Sequence, residues 1–206
     1  GGFMLIHLAK TGETFFVASG GRAPIAASPD MFSPGGQPMP FPLASTSGLA
    51  VGVPGTLRGI DTTLARWGTM TLADTLAPAI ELAEHGFRVN RFLAADIAND
   101  GGRTLIHPET AAIFRPGGVA LAEGDWLVQP DLARTFKRIA AQGPDAFYRG
   151  PLAEALVEAQ RRTRSELGAA GAGRMALADL RGYQAAIRSP LYGRYRGWTL
   201  ATMPPP

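Results

Sequence analysis

An α+β fold is predicted by three features of this sequence. Two short apolar runs near its start flank a polar turn, a long middle stretch carries apolar residues at helical spacing, and a run near its end alternates again. The 206 residues suffice for one domain.

Phe3 to Leu8 reads as a strand, Lys10-Thr11-Gly12-Glu13 as a turn and Thr14 to Val17 as a second strand, which together predict a hairpin. Ser19-Gly20-Gly21-Arg22-Ala23-Pro24 is a loop, and Pro and Gly make Ser33 to Pro42 another. Leu57, Ile60 and Leu64 then share one helical face, with Gly68 as the stop. Thr71 and Asp74 form a capping signal for a second helix, whose stripe is Leu72, Leu76, Ile80 and Ala83 and whose stop is Gly86. Pro78 is expected to kink that helix or delay its start. A third helix is predicted over Arg91–Ala98, ended by Asn99-Asp100-Gly101-Gly102. Pro130 suits the first position of a fourth helix, because its missing N–H would find no partner there. Gly143-Pro144 ends it, and Pro151 opens the next, with Leu152 and Leu156 inward. Gly168 to Gly173 reads as a loop, and Tyr192 to Met203 as one late strand.

Composition narrows the function classes. Charged residues are only 18 %, while 26 glycines and 17 prolines imply many turns. Cysteine is absent, which removes disulfides, thiol nucleophiles and thiolate metal sites and is compatible with a reducing or an oxidising compartment. No apolar run reaches the ~18 residues of a membrane span. The net charge is +3 and the pI about 9.7. The arginines are nevertheless scattered, apart from Arg161-Arg162 with Arg164, and no basic stripe carries interleaved aromatics, so no nucleic-acid partner is expected.

Candidate chemistry is sparse. His7, His85 and His107 lie at no metal-ligand spacing from one another, and structural roles are expected for all three. Ser45-Thr46-Ser47-Gly48 matches no nucleophile elbow and reads as a polar loop. No phosphate-binding glycine motif occurs. Glu123 and Asp125 fall in a turn, where solvation accounts for them. Arg22 stands out because it follows two glycines after a strand. Glycine permits close approach of a ligand to the backbone, successive amides can form an anion nest, and a guanidinium can grip a carboxylate with two parallel bonds. The plain alternative is an arginine that ties down its own loop.

Taken in order, several segments resemble the gamma-glutamyltransferase (gamma-glutamyltranspeptidase) family, specifically part of its large subunit. Gly1-Gly2-Phe3-Met4-Leu5 is similar to the end of the family's glycine-rich GGGGFM strand, and Val53-Pro54-Gly55 with Gly59 to its V/T-P-G-x-x-x-G segment. Trp67-Gly68-Thr69-Met70 and the run from Pro78 to Phe87 resemble its YG-x-(M/L)…PA-x-x-LA-x-x-GF block. Gly143 to Gly150 resembles GP-x-x-FY-x-G. Asp179-Leu180 with Tyr183, then Tyr195-Arg196-Gly197, then Met203-Pro204-Pro205-Pro206 resemble DL-x-x-Y…Y-x-G…PPP.

The resemblance implies part of a four-layer αββα N-terminal-nucleophile hydrolase. In that family a precursor cuts itself, and the new N-terminal threonine of the small subunit attacks a gamma-glutamyl amide, its own amine serving as base. It implies no metal or organic cofactor, a small-molecule amide substrate, and a partner small subunit that carries the threonine. Residues 1–206 are thus expected to be a single-domain piece of the large subunit, with no catalytic residue of its own and inactive alone. The start at Gly1-Gly2-Phe3 and the end at Pro204-Pro205-Pro206 support the same expectation.

One departure bears on substrate. Family transpeptidases carry D-x-R-E-x-A-P after the second strand, and that arginine holds the substrate's alpha-carboxylate. Aligned on Ala23-Pro24, this chain has Ala18, Gly20 and Gly21 where the family has Asp, Arg and Glu, and its arginine is two residues later, at Arg22. A buried carboxylate without its partner costs about 3–5 kcal/mol, enough to change specificity. The expected function is cleavage or transfer of gamma-glutamyl groups. The alternatives are the same chemistry on a non-glutamyl amide such as oxamate or a glutaryl amide, and a non-catalytic carboxylate-binding module.

Overall fold

The computed structural model describes residues 1–162 and 168–205; Arg164 of the basic cluster and Pro206 of the proline run lie outside these. The hairpin forms as predicted, from β1 (Gly2–Leu8) and β2 (Glu13–Ser19), with Met4 opposite Val17 and Ile6 opposite Phe15. The Pro/Gly-rich loop follows, but its end is helical: α1 spans Phe41–Ser45 and takes in the first of the serines read as loop. Next come α2 (Thr56–Trp67) and α3 (Leu72–His85). Pro78 lies inside α3 and does not delay it. The Thr71 hydroxyl accepts from the Asp74 amide at 3.1 Å and the Asp74 carboxylate accepts from the Thr71 amide at 3.0 Å, and this reciprocal cap sets the start at Leu72.

A smaller region follows, made of β3 (Phe87–Arg88), α4 (Arg91–Ala98), α5 (Arg103–Ile106), α6 (Pro108–Phe114) and β4 (Trp126–Leu127). β3 pairs with β4 and closes a core of Val89, Ile97, Leu121 and Leu127. Then come α7 (Pro130–Gln142), packed along α3, α8 (Asp145–Tyr148), α9 (Gly150–Arg161) and α10 (Leu177–Gly182). Gly168–Gly171, read as loop, is one turn of 3-10 helix.

The chain then returns to the first sheet. β5 (Ala186–Arg188) adds antiparallel to β2, which makes the order β1-β2-β5. This strand was invisible in the sequence because it is three residues long and held by pairing, not by its own pattern. The predicted late strand is instead a hairpin, β6 (Leu191–Tyr195) and β7 (Trp198–Thr202). Arg196 and Gly197 have φ of 49° and 86°, the left-handed pair that a two-residue hairpin turn requires. Every residue of both strands is exposed, Trp198 to 73 %.

One face of the three-stranded sheet rests on α2, and the other leaves Phe3 and Leu5 exposed. The main core joins Val53, Ala153, Val157, Met175 and Leu180 to Tyr148 and Tyr183. A tight seam is the approach of α2 to the end of β2. A Cβ on Gly55 would lie 2.6 Å from the Ser19 carbonyl oxygen and collide with the Tyr183 hydroxyl. Gly55→Ala is therefore expected to destabilise the protein by about 1–3 kcal/mol, read as a lower urea midpoint.

A second tie fastens the α4–α5 corner. The Asp100 carboxylate accepts from the Gly102 and Thr104 amides, both at 2.7 Å, and from Arg115 Nη2 at 3.2 Å. Hydrogen bonding by Thr104, the Gly102 amide and the Arg115 charge outweigh burial and lower its pKa from 3.8 to about 2. The unfolded chain therefore protonates first. This stabilisation is whole above the unfolded value and is lost as pH falls through the folded one. In an acid titration followed by circular dichroism, Asp100→Asn should weaken the fall in stability between about pH 4 and pH 2.

Candidate functional site

Arg22 sits just past β2, and its backbone is fully engaged. Its amide donates to the Val53 carbonyl at 3.2 Å, and the Val53 amide donates back at 2.8 Å, an isolated antiparallel bridge. Neither Gly20 nor Gly21 has a left-handed φ, so the anion nest anticipated from the two glycines does not form. A Cβ on Gly20 would meet nothing within 4 Å and one on Gly21 only the Val53 carbonyl oxygen at 3.7 Å, so the close passage here constrains Gly1, whose Cβ would lie 2.7 Å from Gly20 Cα.

The Arg22 side chain does some of the loop-tying that the plain reading anticipates. Its Nη2 donates to the Gln184 carbonyl at 3.0 Å, and its guanidinium carbon lies 5.0 Å from the centre of the Tyr183 ring. Among the described residues, Nε and Nη1 have no hydrogen-bond partner. The side chain lines a cavity of about 160 Å³ together with Ile25, Val53, Asp179 and Tyr183. That is smaller than the ~300 Å³ at which small-molecule pockets begin, and suits one head group of a ligand. Asp179 on the wall is held by the Ile25 amide at 2.9 Å and the Ala176 amide at 2.8 Å.

Sequence reasoning missed Tyr183 and Asp179 as neighbours of Arg22. Both lie more than 150 positions away, and only the β2–β5 pairing brings them there. The motif Asp179-Leu180 with Tyr183 was the available signal. In the structure it supplies a carboxylate tie and a fully buried leucine on one short helix, and a buried phenol at the residue that follows it.

The histidines stay apart. His7 Nδ1 lies 2.9 Å from the Thr14 hydroxyl on the hairpin, His85 is 3.5 Å from Glu81 at the end of α3, and His107 precedes α6. Among the described residues, no group of three His, Cys, Asp or Glu is placed to hold a metal. No described helix is long and apolar enough to cross a membrane. A larger cavity, about 500 Å³, lies between His107 and Glu109, the α9 residues Ala155 and Ala159, and Arg162 just past the end of α9. It shares no described lining residue with the Arg22 cavity, no described hydroxyl lines it, and Arg162 is already paired with Glu158 at 3.2 Å. The Arg22 cavity, although smaller, is thus the better candidate.

Known proteins resemble this chain in sequence and fold. The family model described as gamma-glutamyltranspeptidase matches residues 1–206. The glutathione hydrolase proenzyme of Bacillus subtilis (strain 168) is 42 % identical over 207 aligned residues, which cover 100 % of this chain and 34 % of that protein. The acylase ACY 1 proenzyme of Pseudomonas sp. (strain SE83) is 44 % identical over 157 residues, 76 % of this chain and 27 % of that protein. The crystal structure of Helicobacter pylori gamma-glutamyltranspeptidase superposes with a TM-score of 0.90 at 33 % identity, over 100 % of this chain and 56 % of that one. The chain thus spans about a third of the length of the curated glutathione hydrolases it matches. The α+β architecture expected for part of an N-terminal-nucleophile hydrolase is the one observed. On the family match, the identity and the superposition together, the chain belongs to the gamma-glutamyltranspeptidase family.

Proposed function

We propose that residues 1–206 are a piece of the large subunit of an enzyme that cleaves or transfers gamma-glutamyl groups of glutathione-type amides. The observation that carries this reading is the 42 % identity, along the whole chain, to a glutathione hydrolase proenzyme. The catalytic threonine is supplied by a small subunit cut from the same precursor. Its hydroxyl attacks the amide carbonyl while its own amine takes the proton. That proton leaves with the departing amine, and the acyl ester passes to water or to an amino acid. The exposed Phe3 and Leu5 on the open sheet face, with Tyr195 and Trp198 on the β6–β7 hairpin, are apolar surface of the kind that the rest of such a protein would cover.

In this reading Arg22 receives the substrate's carboxylate. Its unpaired N–H groups supply the charge-assisted bonds, and the cavity admits one small head group. A second reading, an acylase acting on a non-glutamyl amide, is favoured by the 44 % identity to the Pseudomonas acylase and by glycine at position 20, where the family motif has arginine.

The test uses the full-length protein with gamma-glutamyl-p-nitroanilide and glutaryl-p-nitroanilide. Turnover of the first is expected to exceed that of the second. Arg22→Ala is expected to raise KM for the first by roughly tenfold or more, the worth of a hydrogen bond to a charged group, with a smaller change in kcat. Preference for the glutaryl amide would favour the acylase, and an unchanged KM in Arg22→Ala would remove Arg22 from the carboxylate site.

A further inference from the structure

Arginine side chains are long and rotamer-rich, so one that is to meet a carboxylate in a set geometry needs support. Arg22 has that support from two adjacent residues. Tyr183 lies under the guanidinium at 5.0 Å, and the Gln184 carbonyl takes Nη2 at 3.0 Å. The Tyr183 hydroxyl also donates to the Gly20 carbonyl at 2.6 Å, which pins the loop two residues before Arg22. One side chain therefore holds both the backbone approach to Arg22 and the plane on which its charge rests.

Tyr183 is itself immobilised. It is 3 % exposed, and its ring stacks nearly parallel on Tyr148, with centroids 6.2 Å apart and 12° between planes. Tyr148 is fully buried; it donates to the Pro54 carbonyl at 3.0 Å and carries Arg58 4.6 Å from its ring centre. Gly55 lacks the Cβ that would occupy the place of the Tyr183 hydroxyl. Burial raises the Tyr183 pKa above its ordinary 10.0, with the Arg22 charge opposing, so the hydroxyl stays a donor through the neutral range.

We propose that Tyr183 is the positioning residue for Arg22: its ring and its bond to the Gly20 carbonyl, with the Gln184 carbonyl, fix the guanidinium so that its remaining N–H groups meet a carboxylate in the adjoining cavity. The substrate half of this statement rests on the carboxylate-binding reading of Arg22 given above; the positioning half does not. Tyr183 touches no reacting atom and acts through Arg22.

The experiment uses the full-length protein and gamma-glutamyl-p-nitroanilide. Tyr183→Phe keeps the ring and loses one neutral hydrogen bond, so KM should rise about fivefold with kcat within about twofold. Tyr183→Leu loses both contacts and should raise KM more. In the Arg22→Ala background the same change should add less than about twofold, because the two residues act as one unit. Additive effects, or a fall in kcat at constant KM, would overturn the proposal. A second readout needs no substrate: the rate at which phenylglyoxal modifies Arg22, followed by peptide mass spectrometry. It should rise severalfold in Tyr183→Leu and less in Tyr183→Phe, and an unchanged rate in both variants would refute the positioning role. If Arg22→Ala leaves KM unchanged while Tyr183→Leu still speeds modification, the carboxylate reading fails and the positioning stands. Tyr183→Phe is the fallback should Tyr183→Leu not fold.

Discussion

The stacked pair Tyr148 and Tyr183 is the contact on which the rest of this chain is arranged. Each ring is buried, and each hydroxyl reaches a backbone carbonyl, Pro54 for Tyr148 and Gly20 for Tyr183. A buried phenol without a partner would carry a desolvation penalty of about 1–3 kcal/mol, so these bonds constrain where the two loops can lie. The end of β2, the approach to α2, the helix pair α8–α9 and the short α10 all meet at this point. Gly55 is required there because the space for its Cβ is already occupied.

Arginine is used as a planar strut throughout the molecule. Arg22 lies on Tyr183 and bonds the Gln184 carbonyl; Arg58 lies on Tyr148 and bonds Asp145 at 2.8 Å; Arg115 joins Thr104, Asp100 and the Ile97 carbonyl. A guanidinium can stack and donate in its own plane at once, which an ammonium cannot. This gives part of the chain's basic charge a structural use. Much of the positive charge is spent in ties between segments distant in sequence, while other arginines, such as Arg134 with Asp131, make exposed pairs of small effect.

The relation to the family is close in architecture. Three of the segments that carry the resemblance are, in space, parts of the tyrosine knot. Val53-Pro54-Gly55 and Gly59 form the α2 approach, Phe147-Tyr148 supplies one ring, and Asp179-Leu180 with Tyr183 supplies the other. Their spacing in this chain is the one that this packing requires. The loop at Gly20–Arg22 lies at the rim of that knot, where a side chain can move by two positions without disturbing the buried rings.

The sequence by itself determined the elements whose causes are local. The first hairpin follows from alternation around a glycine turn; α3 follows from the Thr71–Asp74 cap and α7 from Pro130 at its first turn. α2 follows from an apolar stripe that closes on Gly68, and α4 ends as expected at Asn99-Asp100. Arg22 was singled out because an arginine after two glycines is locally unusual. Tertiary structure decided the rest. β5 is too short to announce itself and exists because β2 offers it an edge, and the final alternating run splits at Arg196-Gly197 because two left-handed residues reverse the chain. The surroundings of Arg22 were likewise unreadable. Tyr183, Asp179 and the Gln184 carbonyl reach it only once a strand from the far end of the chain is paired, and a hydrogen bond across 162 positions leaves no period in a sequence.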